Sequence, residues 1–236
     1  MAGKVFGAVA AALLCVGIPT SRTAAGIEPG TVAVSASADS GASTLSDELV
    51  HAASAAGLST NVLALAVEAH DRVVAEGRSA SPLLTVIDYS KLSREKRLWV
   101  LDLDRDSVLA HTLVAHGRNS GGDRATQFSN DPGSNQTSLG TFVTGRTYVG
   151  AHGLSLRLIG LDAGVNDNAL ARAIVIHGAD YVNPDVVKTL GRLGRSLGCP
   201  ALSPDEAPEI INLIKDGTVV FAFGSREDGK SGRREG

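Results

Sequence analysis

Apolar residues between positions 47 and 80 recur at helical spacing. Leu49, Ala52, Ala53 and Ala56 share one face of a first helix, which Gly57 ends. Thr60 is the expected cap of a second, in which Val62, Leu63, Val67 and Val74 recur until Gly77. From Pro82 the period changes. Short apolar runs separated by polar turns predict strands at 83–87, 98–101 and 107–115, with Asp104-Arg105-Asp106 as the tight connection into the last. Further runs predict strands at 141–143, 154–161, 173–176 and 219–223. A helix is expected over 203–215, with Ser203 as its N-cap and Asp205 and Glu206 in its first turn; the stretch before it reads as loop. Strands and helices do not alternate, which argues against a parallel α/β sheet. The expected fold is mainly β with attached helices: an antiparallel β-sandwich or half-open barrel over 82–224, preceded by a small helical pair at 47–80.

The chain ends follow different rules. Lys4 precedes an apolar run at 5–18, then Pro19 and small polar residues, the pattern of a secretory signal. The run falls short of the roughly 20 apolar residues that a bilayer-spanning helix needs. Residues 1–25 are therefore expected to be a cleaved signal, cut after Thr23-Ala24-Ala25 or later, after Ala36-Ser37-Ala38, and the mature protein to be exported to a periplasm or cell wall. The bulky Leu14 disfavours lipid attachment at Cys15. Residues 26–46, rich in Ala, Ser, Gly and Thr, form a spacer with too little apolar surface to order itself. The tail at 225–236 is charged and expected to be disordered.

Composition narrows the classes. Lys and Arg number 22 against 25 Asp and Glu, a net charge of −3, so no basic surface suits nucleic acid. The 27 glycines favour turns over long helices. Two cysteines cannot build a disulfide framework, and signal removal leaves only Cys199. A single thiol in an exported chain is a liability unless it is buried or used.

Two segments carry candidate chemistry. Ile174-Val175-Ile176-His177-Gly178 places a histidine at the end of an apolar strand, where its orientation is fixed, as a general base requires. Gly194-Arg195-Ser196-Leu197-Gly198-Cys199-Pro200-Ala201 flanks the cysteine with small residues. Gly198 would let a carbonyl approach successive backbone N–H groups. A thiol near such amides and an imidazole would form a thiolate–imidazolium pair. Each piece alone fits an ordinary structural role; together they point to nucleophilic cysteine catalysis.

His177-Gly178, about twenty intervening residues, then Ser196-Leu197-Gly198-Cys199 resembles the signature of the L,D-transpeptidases (the YkuD-like fold), in a branch reading GRS-x-GCPA at the cysteine. Val114-Ala115-His116-Gly117, Phe128-Ser129-Asn130, Ser138-Leu139-Gly140-Thr141-Phe142, Tyr148-Val149-Gly150 and Gly153-Leu154-Ser155-Leu156 resemble the same branch. The resemblance implies a cysteine acyltransferase acting on peptidoglycan stem tetrapeptides, without cofactor or metal. Cys199 would be the nucleophile and His177 the base, oriented by the Gly178 carbonyl. Backbone N–H groups of Gly198 and Cys199, with Leu197, would hold the oxyanion. The acyl group would pass to an amine as a 3→3 crosslink, or to water in a carboxypeptidase, and carbapenems would acylate the thiol.

Two positions depart from the better-known branch. Leu197 stands where that branch has a second histidine, and Ala201 where it often has Arg or Asn; Arg195 is the expected substitute for reading a substrate carboxylate. Ser196, Tyr148 and His152 are further candidates for the substrate pocket. The alternatives are a zinc-dependent hydrolase using His116, His152 and His177 with a carboxylate, and a non-catalytic wall-binding module. Oligomeric state is left open by the sequence.

Overall fold

The computed structural model describes residues 45–225. The expected signal at 1–25, the spacer up to residue 44 and the tail beyond residue 225 lie outside the described residues.

Two helices open the chain, α1 (Asp47–Ala55) and α2 (Thr60–Ala75). Ser46 caps α1, its side chain accepting from Leu49 N–H at 3.0 Å. The residue at the N-cap of α2 is Ser59 rather than Thr60. Eight strands follow in one sheet: β1 (Leu83–Asp88), β2 (Leu98–Asp102), β3 (Ser107–Thr112), β4 (Gly140–Gly150), β5 (Gly153–Gly160), β6 (Val175–Gly178), β7 (Ala201–Leu202) and β8 (Val219–Phe223). The spatial order is β3-β2-β1-β8-β4-β5-β6-β7. Pairing is antiparallel except for β1 with β8 and β6 with β7. After β3 the chain crosses to the opposite edge, where Ala115 N–H donates to the Ala201 carbonyl at 2.8 Å. That bridge nearly closes the sheet, matching the half-barrel expected.

The pleat sorts the apolar residues into two cores. On one face Leu84, Val86, Trp99 and Leu101 pack with Leu49, Ala53, Leu63 and Val67 of the helical pair. On the other, Ile87, Leu98, Val100, Leu156, Leu158 and Ile176 surround Ile211 and Ile214 of α4 (Ala207–Ile214). Strands β1 and β2 are covered on both sides, which is why they read as unbroken apolar runs. The helices therefore share a core with the sheet.

Several elements differ from expectation. α3 (Pro184–Leu190) lies in the stretch read as loop; Asn183 caps it through a 2.8 Å bond from Val186 N–H, and Gly191 ends it at φ 67°. α4 begins at Ala207, not 203. Ser203 instead caps the preceding turn, donating to the Glu206 carboxylate at 2.8 Å and accepting from its N–H at 3.3 Å. β3 stops at Thr112 because the chain beyond turns to β7, and β4 runs well past residue 143 through an irregularity between Thr144 and Thr147. Val74, expected on the buried face of α2, is 40% exposed. His70 of the same helix is buried, its Nε2 2.8 Å from the Ser81 carbonyl oxygen.

Candidate active site

β6 and β7 bring the two chemical segments together. His177 pairs in register with Ser155 of β5 on one side and Ala201 of β7 on the other. Clamped between two strands, its backbone has no freedom to re-aim the ring. Its Nδ1 lies 2.8 Å from the Gly178 carbonyl oxygen. A carbonyl only accepts, so Nδ1 carries the proton and Nε2 the free lone pair. The His152 ring stacks on His177 with centroids 4.5 Å apart.

Cys199 lies on the turn that feeds β7, and side-chain hydroxyls hold that turn from two sides. Ser196 Oγ donates to the Cys199 carbonyl at 2.6 Å and accepts from Gly198 N–H at 3.0 Å. Thr137 Oγ1 donates to the Gly198 carbonyl at 3.3 Å and accepts from Gly117 N–H at 2.9 Å. Gly198 has φ 127°, and a Cβ there would stand 2.9 Å from the Gln136 carbonyl oxygen. Backbone crowding alone therefore requires a glycine at this position.

One cavity of about 420 Å³ receives both groups; Tyr148, His152, Arg172, Tyr181 and Leu197 line it with His177 and Cys199. Cys199 Sγ turns toward the Ala173 carbonyl at 3.8 Å, and among the described residues no hydrogen bond joins it to His177. Burial pushes the thiol up from its ordinary value, opposed by a backbone hydrogen bond with Val175 and by the Arg172 cation. Burial likewise lowers His177, against the bond to Gly178 and with help from His152. Both shifts favour the uncharged forms. Burial thus works against the thiolate–imidazolium pair expected from sequence.

Other expected roles change with the geometry. Gly198 N–H, expected among the oxyanion donors, is committed to Ser196 Oγ. The N–H groups of Leu197 and Cys199 carry no hydrogen bond among the described residues. Ser196, expected to touch substrate, is largely buried and holds the turn while lining the cavity. Arg195, expected to read a carboxylate, lines the cavity and donates from Nη1 to the carbonyls of Arg118 (3.1 Å) and Gly121 (2.8 Å). Tyr148 is partly exposed on β4 with the Arg157 guanidinium over its ring, 4.7 Å from the centroid. The Leu197 side chain is 63% exposed at the rim.

Residues 54–223 match the family model of the L,D-transpeptidase catalytic domain. The chain belongs to this family. No curated protein matches it. Among solved structures, an L,D-transpeptidase from Mycobacterium smegmatis is similar at 17% identity, covering 61% of this chain and 59% of that one, with a TM-score of 0.38. An L,D-transpeptidase solved in complex with imipenem gives 17% identity, coverages of 60% and 59%, and 0.38. The helical cell shape determining protein of Campylobacter jejuni gives 14%, 63% and 49%, and 0.43. The chain thus spans between half and three-fifths of the length of these structures.

In this L,D-transpeptidase domain the zinc alternative finds no support in side-chain placement. Among the described residues no three His, Cys, Asp or Glu side chains gather at one point. His116 is fully buried away from the cavity, its Nδ1 2.8 Å from Arg97 Nη2. Arg172, Tyr181 and Thr137 escaped the sequence reading. Arg172 is the lone charged residue of the run Ala169-Leu170-Ala171-Arg172-Ala173-Ile174, a signal that was available; Thr137 and Tyr181 carry none.

Proposed function

We propose that this domain is a cysteine acyltransferase acting on peptidoglycan stem tetrapeptides. The observation that carries the reading is the opening of Cys199 and His177 into one cavity, with Nε2 left as the free base by the bond from Nδ1 to Gly178. The reaction requires the sulfur to turn from the Ala173 carbonyl toward the imidazole, by rotation about the Cys199 Cα–Cβ bond. His177 takes the thiol proton as sulfur attacks the carbonyl between the third residue and the terminal D-alanine. The C–N bond breaks, the amine leaves with that proton, and a thioester remains on Cys199. An acceptor amine then gives a proton to His177 and attacks the thioester; the C–S bond breaks, His177 returns that proton to the sulfur, and the 3→3 crosslink is formed. The Leu197 and Cys199 N–H groups are the donors free to receive the oxyanion; such a donor typically contributes about 10²–10³ in rate. Carbapenems, one of which is bound in a related structure, acylate the same sulfur in this reading. Export, read from the N-terminal pattern, would bring the domain to its substrate.

Hydrolysis shares the first half of this reaction. Incubation with disaccharide-tetrapeptide, followed by product analysis, separates the outcomes. Crosslinked dimer supports transfer, tripeptide alone supports a carboxypeptidase, and neither product overturns the reading in favour of a binding module. Activity lost to a chelator and restored by zinc would overturn the thiol mechanism.

A further inference from the structure

Arg172 stands at the wall of the thiol cavity, and its Nη2 would lie 3.4 Å from a Cβ placed on Gly198. Its Nη1 donates to the Ser129 carbonyl (2.6 Å) and to Ser138 Oγ (2.5 Å). Its Nη2 donates to the Gln136 carbonyl (2.6 Å) and to Ser134 Oγ (3.2 Å). All four acceptors are neutral. Asp131, exposed on the same loop, acts on the guanidinium without a salt bridge to it.

A guanidinium stays ionised throughout the working pH range, and no carboxylate in contact neutralises this one. A positive charge is therefore fixed beside the turn that carries the sulfur, in a site partly withdrawn from water where charge acts more strongly. The other groups around the sulfur do not substitute for it. Arg195 lines the same cavity, held on the Arg118 and Gly121 carbonyls, but Arg172 and not Arg195 is the cation that acts on the thiol. The rings of His177 and His152 stack on each other, and burial pushes Tyr181 up to about 12, so it stays protonated. Tyr148 lies against Arg157, and Tyr89, which also feels Cys199, is fully buried.

We propose that Arg172 is a positioning residue: it ties the segment 129–138 beneath the Gly198–Cys199 turn and supplies the fixed positive charge that stabilises the ionised sulfur. The inference rests on Cys199 being the nucleophile of the proposed reaction. It predicts that the remaining charge, not the loss of loop contacts, governs thiol reactivity.

The test is the pH profile of Cys199 alkylation by iodoacetamide, followed by intact mass, in the wild type, Arg172→Gln, Arg172→Lys and Asp131→Asn. Arg172→Gln is expected to raise the midpoint by about one pH unit, making alkylation near neutrality about tenfold slower. Arg172→Lys, which keeps the charge, should recover most of that loss. Asp131→Asn removes an exposed opposing charge and should speed alkylation by about twofold, a shift of about 0.3 unit; it decides the matter if the Arg172 variants do not fold. An unmoved midpoint in Arg172→Gln, equal shifts in the Gln and Lys variants, or no acceleration in Asp131→Asn would overturn the inference. Alkylation needs no peptide substrate. A shifted midpoint in a protein that forms no acyl-enzyme would therefore remove the acyl-transfer reading alone, whereas acyl-enzyme with an unmoved midpoint would remove only the role of Arg172.

Discussion

Ser196 shows how a single side chain organises the site from the wall of its cavity. Its hydroxyl makes two bonds, one to each residue of the Gly198–Cys199 pair. Ser196→Ala would leave the buried Gly198 N–H without its acceptor, a loss of about 1–3 kcal/mol. Because the damage falls on the position of the nucleophile, kcat should drop by about tenfold or more while KM moves little; steady-state kinetics on the tetrapeptide read the split. In the proposed reaction His177 sets the acid limb of the profile. Its pKa lies below the ordinary imidazole value of 6.5, so the base stays competent to lower pH than a free histidine, and activity should fall only below that value. His116 offers a separate titration that bears on stability. Burial, aided by the Arg97 cation and opposed by the Gly121 and Gly122 backbone, pushes it down to about 4. The unfolded chain then binds a proton that the folded one refuses between about pH 6.5 and 4. The stability this site contributes is present above 6.5 and lost as pH falls to about 4, an effect of about 3 kcal/mol. Denaturant melts across that window should show the loss, and His116→Gln should flatten it.

At the scale of elements, the helical pair belongs to the catalytic domain's own architecture. Leu63 is fully buried between α2 and the sheet, and Leu63→Ala should cost about 2–5 kcal/mol in chemical denaturation, as a cavity in a shared core does. An unchanged midpoint would show the helices to be only loosely attached. Both helices were legible from their periodicity, as were the apolar strands β1, β2 and β8. α3 was missed although Asn183-Pro184 and Gly191 mark its two ends, because no apolar stripe runs between them and none of its residues is buried. β7 has two residues and exists only through its partners, so no period could announce it. The helix at 203–215 was placed too early because Ser203 does accept the N–H of the third residue onward, but for a turn that precedes the helix.

Across the whole molecule, the nearly closed sheet places the His177 strand and the Cys199 turn side by side, though about twenty residues separate them in sequence. That pairing was readable because a strand-end histidine and a single mature cysteine are both conspicuous. What was not readable was tertiary: the withdrawal of both groups from water, which favours their uncharged forms, and the hydroxyl clamps from Thr137 and Ser196. The candidate oxyanion donors narrowed for the same reason, since only the folded turn reveals that Gly198 N–H is already bonded. Arg172 stands out as the lone charge in an apolar run, but its contacts with the segment 129–138 beneath the Cys199 turn appear only in the fold. The most direct test of the central claim is intact-protein mass and peptide mapping after exposure to disaccharide-tetrapeptide. The geometry predicts a thioester adduct, the tetrapeptide less its terminal D-alanine, on Cys199, formed much more slowly in His177→Gln; an adduct elsewhere, or products still released by Cys199→Ala, would contradict it.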